Sequence, residues 1–215
     1  MRLAALTLIV LLPLAAAAQD IDKVNGTIVV GPGEHASDVH SVNGSVRIGD
    51  GAIVQNAGTV NGSVELGNNA QASALRTVNG HLGLGEASRV SGNVKTTNGS
   101  ISMDPRADVA GSATTVNGSI TLHHAHIGDG IETTSGDITV GEGSRVEGGI
   151  LVKEPSSYGW NGSNRDPHIV IGPHAVVTGT LDFRRSVQLD VSDSAQIGPV
   201  KGAKVNTFHR PAPSM

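Results

Sequence analysis

The sequence predicts an all-β chain folded as a parallel β-helix, a three-sided solenoid of about 18 residues per coil. Three observations carry this reading. A phrase typified by VNGSVRIG at residues 42–49 returns at Val24, Val42, Val60, Val78, Thr97, Val116 and Thr134, a spacing of 18 or 19 residues throughout. Inside each copy, apolar residues alternate with variable ones at the two-residue period of a strand with one buried face. Each copy also holds three short apolar clusters divided by Gly, Asn, Asp and Pro, which gives three sides and three corners.

The first side follows Asn-Gly. Its inward positions are Ile28, Val46, Val64, Leu82, Ile101, Ile120 and Ile138, and two residues later Val30, Ile48, Leu66, Leu84, Met103, Leu122 and Val140. Arg47, Glu65 and Thr121 sit between them and face solvent. The valine or threonine that opens each phrase is counted with the inward aliphatics. The second side runs through Ala36, Val54, Ala72, Val90, Val109, Ile127 and Val146, and the third through Val39, Ala57, Leu75, Val94, Ala113, Ile131 and Ile150. Asn-Gly is also the strongest short hairpin signal. A hairpin array, however, would not hold corresponding aliphatics one constant period apart over seven copies. A lone coil buries too few aliphatics to offset the cost of ordering its backbone, so each must lie on its neighbour.

At the recurring corner, Asn25, Asn43, Asn61, Asn79, Asn98 and Asn117 are expected to stack as a structural ladder of amides, the glycine beside each allowing positive φ. Asn-Gly-Ser/Thr also matches a glycosylation acceptor, but a solenoid corner accounts for every copy. Ile48, Val54, Val60 and Leu66 fit the hexapeptide spacing of left-handed coils; two repeats of 19 residues break it and favour a right-handed coil.

Residues 1–18, MRLAALTLIVLLPLAAAA, have the basic start, apolar run and small-residue end of a secretory signal peptide. Their removal leaves a solenoid domain over 19–200 and a tail over 201–215. The mature chain is expected to be soluble, without a membrane span, and exported to the periplasm or the cell surface. The repeat gives way at 153–167, KEPSSYGWNGSNRDP, read as a loop extruded from one corner. This loop holds the only Tyr and the only Trp.

Composition narrows the function. With no cysteine there is no disulfide framework, thiolate metal site or cysteine nucleophile. Without Arg2, 14 basic side chains face 19 acidic ones, scattered along the chain, so there is no footprint for nucleic acid. Two Phe, one Tyr and one Trp in 215 residues mean a narrow core of Val, Ile, Leu and Ala.

IVIGPHAVVTGTL and VSDSAQIG, together with the glycine-punctuated coils, resemble the bactofilins, bacterial β-helix proteins that form polymers. The VNGSI-type turns are similar to the adhesin-like β-strand repeats of exported bacterial proteins. The bactofilin resemblance implies a β-helix without a catalytic centre that assembles end to end. The export signal departs from the typically cytoplasmic bactofilins.

Few side chains suggest chemistry. His123, His124 and His126 supply three imidazoles within four residues, with Asp104 or Asp108 available from the preceding coil, as candidate zinc or copper ligands. In an extended segment they would point to alternating sides. Asp50, Glu86, Asp129, Asp137 and Glu142 sit mostly beside corner glycines and read as turn residues more simply than as the paired carboxylates of a β-helix carbohydrate-active enzyme. His81 and His174 are the nominees for a hexapeptide acyltransferase base. Tyr158 and Trp160 are candidates for contact with a sugar or a partner protein. The leading expectation is a non-catalytic structural protein with no cofactor, whose partner is another copy of itself or an envelope polysaccharide or protein. The alternative is an adhesin-like, polysaccharide-binding module using a solenoid face and the 153–167 loop.

Overall fold

The computed structural model describes residues 19–155 and 165–209, and within them all regular structure is β. Parallel strands stack coil upon coil into a β-solenoid, as the repeat requires. The first face is a ten-stranded parallel ladder from Ile28–Val30 to Val205–Phe208. Its strands bury their outer residues and expose the middle one, as in Val46–Ile48 and Val64–Leu66.

The second and third faces belong to one 17-stranded sheet. In the early coils, single strands His35–Asn43 and Ile53–Asn61 run through both faces. From Gln71–Ala72 and Ala74–Asn79 onward the two faces are separate strands. From Val90 to Leu181 the corner also gains one residue. Val54 and Ala57 bracket a corner of two residues, whereas Val90 and Val94 bracket three, including Gly92. Glycines at this corner accept close stacking: a Cβ on Gly111 would lie 2.7 Å from the Gly92 carbonyl oxygen, and one on Gly148 only 0.9 Å from that of Asp129.

The corner between the first and second faces repeats one backbone state. Gly33, Gly51, Asn69, Ala87, Arg106, His124, Gly143 and His174 all have φ between 48° and 69°. In most coils a backbone bond closes a four-residue turn there, such as Ala52 N to Gly49 O at 3.1 Å. Positive φ at its third residue is the mark of a type II turn. A small buried residue follows, among them Ala52, Ala70, Ser88, Ala107 and Ser144.

The core is a continuous aliphatic column from Ile28 to Val191, with Phe183 the one aromatic among the described core residues. One expectation is corrected. The phrase-opening valines point outward: Val24, Val42 and Val60 are 67%, 42% and 40% exposed. The residue before each is turned inward instead, and this slot is Ser41, Thr59, Thr77, Thr96, Thr115 and Thr133. The last strand of the first face, Val205–Phe208, pairs in register with Leu189–Ser192.

Candidate functional site

The Asn-Gly corner is built from two ladders. Asn43 donates through Nδ2 to Asn25 Oδ1 at 3.2 Å, and the same bond continues from Asn61 to Asn43, Asn79 to Asn61 and Asn98 to Asn79 at 2.9 Å, then from Asn117 to Asn98 at 3.0 Å. All five amides donate in one direction. Behind them a hydroxyl ladder donates to the corner carbonyls: Thr59 Oγ1 to Gly44 O at 2.8 Å, Thr77 to Gly62 at 3.0 Å and Thr115 to Gly99 at 3.1 Å. This second ladder was legible as the Ser/Thr that precedes every phrase after the first. The glycines serve mainly a steric need. A Cβ on Gly44, Gly62, Gly80, Gly99, Gly118 or Gly136 would lie 1.8–2.3 Å from the glycine carbonyl oxygen one coil earlier; positive φ applies to only some of them.

The amide ladder stops at Ser135, and the next coil leaves this same corner as the 153–167 insertion, between Val152 on the third face and His168 on the first. At its base Arg165 pairs with Asp137 at 2.5 Å, and Asp137 accepts the His168 amide at 2.8 Å. Tyr158 and Trp160 lie outside the described residues.

The histidine turn does not gather its imidazoles. His123 and His124 occupy the first-to-second corner, one residue shorter here than in neighbouring coils, with His124 at φ 48°. His126 is already on the second face. Its Nδ1 is 2.6 Å from Asp108 and its Nε2 3.6 Å from Glu147, which also pairs with Arg145 at 3.2 Å. Asp108 thus meets one of the three histidines, across one coil step. Among the described residues no group of three or more His, Cys, Asp or Glu is placed to hold a metal ion.

Three of the carboxylates named from sequence, Asp50, Glu86 and Asp137, are likewise used by the coils. Asp50 Oδ1 accepts the Asn68 amide at 2.8 Å, and Asn68 repeats this with Glu86. Glu86 pairs with Arg106 at 2.6 Å. Near the C-terminal end, His168 Nε2 lies 2.7 Å from Asp190, which also accepts from Gln188 and Asn206. The His168 hydrogen bond holds the Asp190 carboxyl below its ordinary value, opposed by burial and helped by Asn206 and Gln188. His209 does the same for Asp193.

Two shallow concavities mark the outer faces. One, of about 350 Å³, lies on the first face beside Gly83, with Arg47, Glu65, Ser102 and Asp104 in its wall. Nearby, His81 Nε2 is 3.0 Å from Ser102 Oγ. His174 takes no part; it stands exposed at a first-to-second corner. The other concavity, of about 300 Å³, lies on the third face around Leu151, with Glu132, Asp182 and Arg184. One outward column crosses that face from coil to coil: Asp22, His40, Gly58, Arg76 and Lys95, then Thr114, Glu132, Leu151, Asp182 and Lys201. Beside it runs the stripe of outward valines.

No protein-family model matches the chain, and no match is found among curated proteins or solved structures. No helix of the described residues is long and apolar enough to cross a membrane. What the fold defines is a β-solenoid repeat protein.

Proposed function

We propose that this chain is an exported, non-catalytic structural protein: a rigid solenoid rod that acts without a cofactor and joins end to end at the cell envelope, in the periplasm or at the cell surface. The supporting observation is the pair of single-sided ends. Among the described residues Ile28–Val30 pairs only with Val46–Ile48, and Val205–Phe208 only with Gln188–Ser192. Unpaired strand edges are templates for another chain. On the third face the N-terminal edge is blunted, because exposed Lys23 occupies the slot filled by Ser41 one coil later and donates to Thr27 O at 3.1 Å. The first-face edge is the open one, and Val29 on it is 64% exposed. The resemblance to bactofilins and the signal-like residues 1–18 point the same way.

The test is Val29→Pro. Ile28 N and Val30 O bond to the next coil, so by alternation the Val29 amide faces the open edge, where proline removes a donor and breaks no internal bond. Sedimentation of the wild type should keep rising with concentration, and the variant should form nothing larger than a dimer. A wild type that keeps one size across the micromolar range contradicts the assembly.

The second reading is a polysaccharide-binding, adhesin-like module, favoured by the polar concavity at Gly83 and the aromatics of the 153–167 loop. Glycan-array binding lost in Gly83→Leu, or in Tyr158→Ala with Trp160→Ala, would support it.

A further inference from the structure

The third face carries an order of side chains that the coil does not need. Its inward residues hold the core, and its outward column is free to vary. Across the ten coils that column is complementary to its own reversal. Counted inward from the two ends, Asp22 answers Lys201 and His40 answers Asp182. Gly58, which has no side chain, answers Leu151, an outward, half-buried leucine. Arg76 answers Glu132, and Lys95 answers Thr114.

We propose that two copies of this chain pack antiparallel through the third face, about a two-fold axis that runs along the strands between Lys95 and Thr114. Such an axis lays each outward column over itself with the coil order reversed, so every pair above comes into opposition. A parallel arrangement would set Arg76 on Arg76 and Lys95 on Lys95. A slip of one coil in one direction would set Asp22 on Asp182 and Lys95 on Lys95, and a slip in the other would forfeit the Asp22–Lys201 and Arg76–Glu132 pairs. The full-length antiparallel register avoids like-charge contact and sets Leu151 against Gly58, which adds no side chain of its own between His40 and Arg76.

The neighbouring outward column fits the same arrangement. It reads Val24, Val42, Val60, Val78, Thr97, Val116 and Thr134, followed by Lys153 and Arg184. Under the reversal Val60 lies opposite Lys153 and Val42 opposite Arg184. The heads of those cations are drawn aside by Glu132 at 2.5 Å and Asp182 at 3.1 Å. Their aliphatic stems are left to cover the valines. Ten coils at about 4.8 Å give a face about 48 Å long. A strip roughly 13 Å wide on each copy buries on the order of 1,200 Å² in total, the lower bound of specific interfaces.

This lateral contact is independent of end-to-end joining, and Val29→Pro leaves it intact. Sedimentation velocity on purified chain carrying Val29→Pro is expected to show a monomer–dimer equilibrium. Arg76→Glu should weaken it at least tenfold, and Arg76→Glu with Glu132→Arg should recover most of the loss. The exchange is repeated with Asp22→Lys and Lys201→Asp, and circular dichroism checks that each variant keeps its β signal. Because the chain has no cysteine, nitroxide labels can be placed singly. Those at Thr114→Cys should lie within about 20 Å of each other and those at Asp22→Cys about 43 Å apart, nine coil steps at the strand spacing. The proposal is overturned by a monomer throughout, by failure of both charge exchanges to recover, or by short distances from both labels.

Discussion

Thr59 Oγ1 donates a hydrogen bond of 2.8 Å to the carbonyl oxygen of Gly44, 15 residues earlier in the chain. The hydroxyl is buried, and the same contact recurs in the neighbouring coils. Thr59→Val keeps the shape and deletes the donor. The expected loss is about 1–2 kcal/mol in urea-induced unfolding, the usual cost of an acceptor left with one partner fewer.

Gly62→Ala should cost more. Its new Cβ would lie 2.3 Å from the Gly44 carbonyl oxygen, and that obstacle is backbone held in register on both sides. Overpacking of this kind costs roughly 1–3 kcal/mol, and unfolding midpoints should place Gly62→Ala below Thr59→Val. A Gly62→Ala protein as stable as wild type would show that the corner has slack.

Ser88→Ala should stabilise. Ser88 Oγ is buried with no hydrogen-bond partner, while the coils on either side have alanine in its place, Ala70 and Ala107. Removing an unsatisfied hydroxyl is expected to add about 1 kcal/mol, read as a higher unfolding midpoint.

Acid should loosen the C-terminal coils. The folded-state value of Asp190 lies below its ordinary 3.8. Its contribution is therefore complete above that value and is lost as pH falls through the lower, folded one. Hydrogen exchange at Val205–Phe208 should accelerate below about pH 4. Asp190→Asn should flatten this dependence, and an unchanged acid profile in that variant would contradict it.

Much of this architecture was legible because a parallel solenoid repeats its constraints once per coil. The inward aliphatics of the first face, such as Ile101 and Met103, declared themselves by alternation, and the asparagines by recurrence. The phrase-opening valines misled for a physical reason. In Thr59-Val60 the apolar residue is outside and the polar one inside, because the corner carbonyl of Gly44 needs a donor and hydropathy alone does not register that need. The pairing of His126 with Asp108 required knowing that the histidine corner is one residue short, which sets the register between coils. The reversal symmetry of the third face appears only once all ten coils are aligned.

Electron microscopy of the purified chain across the micromolar range tests the rod most directly. End-to-end assembly predicts straight particles whose lengths are multiples of about 48 Å, ten coils at the strand spacing, reduced to a single length by Val29→Pro. Particles of one unit length at every concentration, in wild type and variant alike, would contradict it.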